Sequence, residues 1–416
     1  MSRKERDRMV QLGRVAKGEL RLVNAAEILG ISYRQCQRQW ARYKESGAAG
    51  LVHRGRGKPS NRRTRGDLRD AILARYDELY PDFGPTLAAE KLHEDGMVID
   101  HETLRRLLVA TGRWKRRRKR SSHRSWRERR HHFGEMVQMD GSHHRWFEER
   151  GGESCLMGMT DDATNKKLAR LDEEETTESA MRLLWKWIEL YGIPLSVYVD
   201  KKSIFVVDEK SQERARDEGR EALTQFGRSC KKLGIEIITA NSPQAKGRIE
   251  RAHGVYQDRF VKELRLRGID TIEGATELLE NGFVESLNKK FAVKPIEAAD
   301  YHRSAEGYDL AAIFSIEEER TVSADWVVRF ENRFFQLKPL NKRLRGNGKV
   351  TVSRRLDQSL HFYFRDQELA WKELPERPQP VARKKGAGRG SPPIMTNYIP
   401  PPDHPWRRFV INPGRT

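Results

Sequence analysis

Apolar residues recur at helical spacing in the first third of the chain, most clearly in residues 24–44. Two short helices would bury one shared set there, namely Ala26, Leu29, Ile31, Cys36 and Trp40. Gly30 suits the tight turn between the helices, and Ser32 is a natural N-cap for the second. The polar side of that second helix carries Arg34, Gln37, Arg38 and Arg42. The pattern predicts a helix-turn-helix DNA-binding domain over residues 1–50, and a helical hairpin with a solvated basic face is the alternative.

A second helical unit with a weaker pattern follows over residues 67–114. Apolar positions repeat at helical spacing in residues 68–79, a short helix is predicted over 86–93, and Asp100 is a plausible N-cap for a third helix. We predict a second helix-turn-helix-like domain, with a structural three-helix spacer as the alternative. Basic linkers are predicted over residues 51–66 and 115–132. Glycine and proline break regular structure in the first linker, which is interpreted either as a phosphate-following segment or as an ordinary spacer.

Short apolar runs that predict strands alternate with helical segments from residue 133 onward. The predicted strands cover residues 136–140, 154–160, 167–171, 195–200 and 235–239. The predicted helices cover residues 178–190, 223–233 and 245–266, and a polar segment lies at 209–222. The order of three strands, helix, strand, helix, strand, helix predicts an α/β domain over residues 133–300, built as a mixed sheet flanked by helices.

Short strands dominate again after a helical stretch at residues 271–291. They are predicted over residues 326–330, 334–337, 349–352 and 360–364, with Asn332-Arg333 as a hairpin turn. A small all-β barrel over residues 318–375 fits this pattern, for contact with DNA or a partner or in a structural role. Residues 376–416 form a basic tail rich in proline and glycine.

Charge changes the picture because the basic excess lies at the two ends of the chain. The 416 residues carry 80 Lys and Arg against 60 Asp and Glu. Residues 1–139 have a net charge of +16 and residues 376–416 of +6, whereas residues 140–375 have −2. Ten cations fall within residues 115–130, among them Arg116, Arg117 and Arg118. Such a run repels itself unless phosphates neutralise it, so we expect the ends to bind a polyanion; charge that serves solubility is the alternative.

Composition excludes several other classes of protein. The chain has no run of 18 apolar residues and no apolar segment near its start, so neither a membrane span nor a secretory signal is predicted. The three cysteines Cys36, Cys155 and Cys230 form no Cys-x-x-Cys pair, which makes disulfides and a cysteine-type zinc site unexpected. We therefore interpret His131-His132 and His143-His144 as solvated or DNA-facing. The default expectation is a cytoplasmic protein.

Acidic residues end two of the predicted strands, Asp140 and Asp200, and Glu250 lies one turn into the last helix of the α/β domain. Strand ends next to loops are where α/β folds place their chemistry. Taken singly, each acid is better explained as an ordinary surface residue. Other acids compete on composition, namely Asp161, Asp162, Asp172 and the run Glu173–Glu175.

The flanks of the three acids resemble those of DDE transposases and retroviral-type integrases, most closely the ISNCY-type bacterial insertion-sequence transposases. The matching segments are Gln138-Met139-Asp140-Gly141-Ser142, Val199-Asp200-Lys201-Lys202-Ser203-Ile204-Phe205, and residues 241–250. The likeness extends over about residues 15–375. It implies an RNase H-like fold in which Asp140, Asp200 and Glu250 hold two Mg²⁺ ions, for which Mn²⁺ could substitute, with Asp140 bridging both. Carboxylates are hard oxygen ligands suited to Mg²⁺.

Two departures from the resemblance stand out. The spacing is Asp-(59)-Asp-(49)-Glu, with a longer second gap than integrases commonly have, and the zinc module of retroviral integrases is missing. Lys246 replaces the usual glutamine of the third motif. Lys246 and Arg248 are predicted to touch DNA near the scissile phosphate; a solvated helix start is the alternative.

Our main hypothesis is a transposase that binds terminal inverted repeats of double-stranded DNA and catalyses cleavage and strand transfer, as a homo-oligomer on DNA. A non-catalytic DNA-binding regulator with the same fold is the alternative, and a nuclease or resolvase is a third possibility. The presence of all three acids argues for the first hypothesis. The two helix-turn-helix units argue against the third.

Overall fold

The computed structural model describes residues 1–53, 55–57, 64–115, 128–219, 221–240, 247–338, 348–365, 367–376 and 401–404. The chain divides into two compact units, Met1–Ser122 and His123–Thr416. Within the described ranges, no helix is both long enough and apolar enough to cross a membrane.

The first unit begins with a three-helix group of α1 (Arg3–Ala16), α2 (Leu22–Ile28) and α3 (Tyr33–Ser46), followed by a 3₁₀ turn at Gly47–Leu51. Its buried core contains Leu12, Ala25, Ala26, Cys36 and Leu51, with Ile31 and Trp40 packed at the edge. The hydroxyl of Ser32 accepts a hydrogen bond from the backbone N–H of Gln35 (3.3 Å), which confirms the predicted N-cap. The pattern around residues 24–44 did not reveal α1.

The rest of the first unit contains α4 (Gly66–Leu79), α5 (Pro85–Glu94) and α6 (His101–Ala110). Asp100 accepts hydrogen bonds from the backbone N–H groups of Glu102 and Thr103, as predicted for an N-cap. Proline at the first position of α5 suits a helix start because its missing N–H would have no partner there.

The second unit contains a five-stranded sheet in the order β3-β2-β1-β4-β5. Its strands are β1 (Val137–His144), β2 (Ser154–Asp161), β3 (Lys167–Asp172), β4 (Ser196–Val199) and β5 (Glu236–Thr239). The first three strands pair antiparallel, and β4 and β5 add to β1 in parallel. The predicted mixed sheet is thus present. One boundary was wrong, because β1 continues through Asp140 to His144 instead of ending at the acid.

Helices cover both faces of this sheet. The elements are α7 (Thr177–Tyr191), α8 (Glu209–Asp217), α9 (Gln225–Lys232), α10 (Gly247–Leu266), α11 (Ile272–Leu278) and α12 (Val284–Phe291). Residues of α7 and α9 form one apolar core with β1 and β2, and residues of α10 to α12 form the other with β2 and β3. Helix α8 has no buried residue, which fits the long polar gap before Glu250. Asn281 and Gly282 interrupt the last helical stretch with non-helical backbone angles.

The C-terminal part follows a short helix α13 (Leu310–Ile313) and consists of two sheets. One contains β6 (Ser315–Thr321), β9 (Lys349–Arg355), β10 (Leu360–Phe364) and β11 (Gln367–Leu369); the other contains β7 (Val327–Phe330), β8 (Arg333–Leu337) and β12 (Trp371–Leu374). Both sheets contribute to one apolar core. No closed barrel is formed by the strands that the structure describes, so the barrel stays a prediction. The turn between β7 and β8 is at Glu331-Asn332, both with positive φ, one residue earlier than predicted.

Candidate functional site

Asp140 and Asp200 occupy equivalent positions on neighbouring parallel strands. In the pairing of β1 with β4, Val137 lies opposite Val197 and Gln138 opposite Tyr198. Continued by two residues, the same offset of 60 residues would bring Asp140 opposite Asp200, which follows directly after the end of β4. Neighbouring strands lie about 4.8 Å apart, so the two acids reach the same edge of the sheet. Their side chains are 18% and 28% exposed, respectively.

The start of α10 is fixed to β1 by a buried polar network. The guanidinium Nη1 of Arg248 lies 2.8 Å from Oδ1 of Asp162, and Gln138 donates from Nε2 to the same oxygen (2.8 Å). The backbone N–H of Ile249 donates to Oε1 of Gln138 (3.1 Å). Because Gln138 is two residues from Asp140, this network holds the residue before Glu250 against the strand that carries the first acid.

Helix α10 approaches Asp140 at His253, one turn after Glu250. His253 places Nδ1 4.0 Å from Oδ2 of Asp140. Gly158, opposite Asp140 on β2, makes room for this ring, since a Cβ there would lie 2.9 Å from Nε2 of His253. Residues three apart are neighbours on the surface of a helix, so Glu250 lies one turn before the position of α10 that contacts Asp140. The residue Glu250 itself is exposed.

A lysine lies among the carboxylates at this edge of the sheet. Nζ of Lys202 is 2.5 Å from Oε2 of Glu175 and 3.4 Å from Oδ2 of Asp200. Burial lowers the pKa of Lys202, but its hydrogen bond to Glu175 and the charges of Glu175, Asp200 and Asp140 outweigh that effect, and the net shift is upward. The edge therefore has the negative potential and the oxygen donors that a hard divalent cation requires. In this arrangement the oxygens of Asp140, Asp200 and Glu250 do not all lie within 4.8 Å of one another, as judged over the described residues.

The residues predicted to bind DNA fall into three groups. Arg34, Gln37 and Arg38 are exposed on α3, and Arg42 is half-buried, its Nε donating to the carbonyl oxygen of Arg38 (3.3 Å). Arg116, Arg117, Arg118 and Lys246 lie outside the described residues. The third group is Arg248, whose side chain is only 7% exposed. Its ion pair with Asp162 holds the guanidinium inside the protein, where it supports the start of α10, and the predicted DNA contact of Arg248 stays a prediction.

Sequence reasoning missed most of the supporting residues. Glu175 was noted only as part of an acidic run, and Lys202 only as part of a motif. Gln138 was likewise quoted only as a flank of Asp140. Asp162 and Arg248, which form an ion pair, are 86 residues apart in the chain. Alternation along β1 was the available signal, since a buried glutamine two residues before an acid indicates a polar partner on the same face.

Comparison with known proteins places this chain. A helix-turn-helix domain family matches residues 6–60, and a homeodomain-like domain family matches residues 36–108. The protein y4bF of Sinorhizobium fredii, named as a transposase, is 39% identical over 341 residues, covering 81% of this chain and 73% of y4bF. The transposase for insertion sequence IS1202 of Streptococcus pneumoniae is 26% identical, covering 94% of this chain and 91% of the relative. The chain belongs to the insertion-sequence transposase family.

Solved structures of retroviral integrases also align with the chain. The HTLV-2 integrase catalytic core in complex with magnesium covers 36% of this chain and 85% of its own, at 18% identity and a TM-score of 0.28. The simian T-cell lymphotropic virus intasome in complex with PP2A regulatory subunit B56 gamma covers 73% of this chain and 96% of its own, at 14% identity and a TM-score of 0.32. TM-scores of this size do not by themselves establish a shared fold. The resemblance to transposases and the helix-turn-helix prediction are confirmed by the sequence relatives and the domain families.

Proposed function

We propose that this protein binds the terminal inverted repeats of an insertion sequence, cleaves the DNA at those ends and joins them to target DNA. The observation that carries the proposal is the register of β1 and β4, which pairs Gln138 with Tyr198 and, continued by two residues, would bring Asp140 and Asp200 to the same end of the two strands. The sheet order and its two antiparallel and two parallel pairings support an RNase H-like core. We propose that the protein acts in the bacterial cytoplasm, where its double-stranded DNA substrate lies.

The donor set at the edge fits Mg²⁺, or Mn²⁺ in its place, because all three proposed ligands are carboxylates. As the resemblance to DDE transposases implies, Asp140 would contribute to both of two ions, and Asp200 and Glu250 would each hold one. When bound, a metal pair activates the attacking oxygen and stabilises the leaving oxygen of a phosphodiester. The chain itself supplies the alignment: the network of Gln138 and Arg248 orients the helix that carries Glu250.

Recognition of the DNA ends is assigned to the exposed polar side of α3. Arg34, Gln37 and Arg38 present guanidinium and amide donors that can contact base edges or phosphates when the helix lies in the major groove. Both transposon ends must meet for joining, so we propose a homo-oligomer assembled on DNA.

The test is a cleavage and strand-transfer assay on DNA carrying the element's own ends, with Mg²⁺ and with Mn²⁺. Asp200→Ala should abolish both reactions while end binding in a gel-shift assay stays within about twofold, because one ligand of a two-metal site is lost and α3 is untouched. Glu236→Ala is the matched control, since this exposed acid opens β5 at the opposite end of the parallel strands. If the wild type binds the ends but cuts under neither ion, the protein is instead a non-catalytic DNA-binding regulator. Cutting at junctions in place of the ends would indicate a structure-selective nuclease.

A further inference from the structure

A second cluster of possible metal ligands lies on the other face of β1. His143 on β1 is directly opposite Cys155 on β2, and directly opposed residues of antiparallel strands project from the same face. Glu175, two residues before α7, adds its carboxylate, and one donor atom from each of the three lies within 4.8 Å of the others. Nε2 of His143 is 3.9 Å from Oε2 of Glu175. Side chains alternate along a strand, so Asp140 projects from the opposite face to His143.

Glu175 has an oxygen that the described protein atoms leave unsatisfied. Its side chain is only 5% exposed. Oε2 accepts from Lys202, whereas Oε1 is buried without a hydrogen-bond partner among the described residues. Buried carboxylate oxygens normally accept hydrogen bonds, because a buried oxygen without a donor has lost its hydrogen bonds to water and gained none from the protein. The carboxylate that carries this oxygen lies in the same cluster as an imidazole and a thiol.

Gly141 keeps the space beside this cluster open. A Cβ at position 141 would lie 2.5 Å from Oε2 of Glu175 and 3.0 Å from Sγ of Cys155. Any side chain there would therefore displace the carboxylate from the thiol. The imidazole of His143 is half-exposed, which gives an ion a route from solvent to the buried thiol and carboxylate.

We propose that His143, Cys155 and Glu175 bind one divalent transition-metal ion of the zinc class, separately from the Mg²⁺ ligands. Nitrogen, sulfur and oxygen donors together suit Zn²⁺ or Co²⁺, whereas Mg²⁺ requires oxygen donors. Three protein ligands leave a fourth tetrahedral position for water. Binding replaces the thiol proton by the metal and releases that proton to solvent. The ion also competes with Lys202 for Glu175, and Lys202 contacts Asp200, so occupancy would change the charge balance at the proposed catalytic edge.

The buried thiol sets the conditions for this site. Burial raises the pKa of Cys155 to about 12, with the nearby charge of Glu175 adding to the effect. A bound divalent cation is what makes the thiolate form, as in other thiol-metal sites.

Cobalt titration of the full-length, reduced and chelator-treated protein tests the proposal. We expect one Co²⁺ per chain, a near-ultraviolet thiolate-to-cobalt band, visible bands of tetrahedral geometry, and displacement by Zn²⁺ but not by Mg²⁺. Cys155→Ser should remove the thiolate band, and His143→Ala should weaken affinity by about tenfold or more. Cys230→Ser is the matched control, because this cysteine is also buried but is not part of the cluster.

The outcomes separate this site from the proposed catalytic one. Asp200→Ala should keep the cobalt spectrum while losing DNA cleavage, so either proposal can fail alone. His143 is half-exposed and its replacement should leave the fold intact, which circular dichroism checks. A titration to saturation without a thiolate band, a band that survives Cys155→Ser, or an affinity unchanged in His143→Ala would each overturn the proposal.

Discussion

The buried ion pair at the start of α10 gives a prediction that distinguishes two roles for one arginine. Replacing Arg248 by Met keeps most of the side-chain volume but removes the guanidinium. Asp162, which is fully buried, then loses the Arg248 Nη1 that lies 2.8 Å from its Oδ1. If Arg248 serves to position α10, the variant should be less stable. If Arg248 contacts DNA, the variant should bind DNA more weakly and its DNA affinity should depend less on salt.

The structure sets the expected size of the loss. Removing one partner of a buried ion pair costs about 3–5 kcal/mol, mostly because the other charge stays buried. Asp162 retains hydrogen bonds from Nε2 of Gln138 and from the backbone N–H of Arg130, both 2.8 Å long. These remaining donors place the expected cost at the low end, about 3 kcal/mol. Asp162→Asn in the same chain should restore part of it, because no uncompensated charge then remains.

Hydrogen exchange in α10, measured by mass spectrometry on the full chain, reports the local free energy of opening. Arg251→Met is the control, since Arg251 is exposed on the same helix and, among the described residues, its Nε donates to the carbonyl oxygen of Gly247 (2.9 Å) within that helix. We expect a change within about 0.5 kcal/mol. The reasoning is refuted if Arg248→Met is as mild as Arg251→Met. If Arg248→Met also lowers the affinity for DNA and the salt dependence of that affinity, Arg248 contacts DNA and the positioning role is refuted.

Two further predictions concern the first unit. Arg38→Ala should weaken binding to the DNA ends and reduce the slope of log affinity against log salt by about one, as gel shifts over a salt series would show, whereas Arg14→Ala on α1 should leave that slope unchanged. The backbone N–H groups of His53 and Ser2 lower the pKa of Glu5 to about 2, so Glu5 should stabilise the unit fully above about pH 4.5 and progressively less as the pH falls toward 2. Glu5→Gln should reduce this loss of stability at low pH, measured by hydrogen exchange of the backbone amides of α1 to α3. An unchanged pH dependence would contradict the hydrogen bonds assigned to Glu5.

The sequence predicts the order of elements well because each depends on local periodicity. Strands β1 to β5 and helices α7, α9 and α10 follow from runs of apolar residues and from stop signals such as Gly192. The N-caps Ser32 and Asp100 are equally local. Helix α1 was not predicted, although Ser2 and Glu5 form a capping box at its start, because its one fully buried apolar residue, Leu12, gives a weak periodic signal.

Side-chain contacts between distant elements do not follow from local periodicity. Arg248 was predicted to contact DNA because it lies just before Glu250 in the chain. Its burial depends on Asp162, which the β1–β2 pairing brings to the same face as Gln138. A lone basic residue near a helix start carries no periodic signal that separates these two outcomes. Only the packed sheet determines which carboxylate lies within reach.

His143 and Cys155 show the same limit for metal ligands. Zinc sites are found in a sequence by spacings of a few residues, and the 11 residues between His143 and Cys155 match none of them. Yet the hairpin of β1 and β2 sets the two residues opposite each other, and a register shift by one residue would turn one of them to the other face. That register is determined by burial: Met139 and Met157 must lie in the same apolar core. Once the core fixes the pairing, the thiol and imidazole meet as a consequence, beside the strand position where Gly141 leaves room for Glu175.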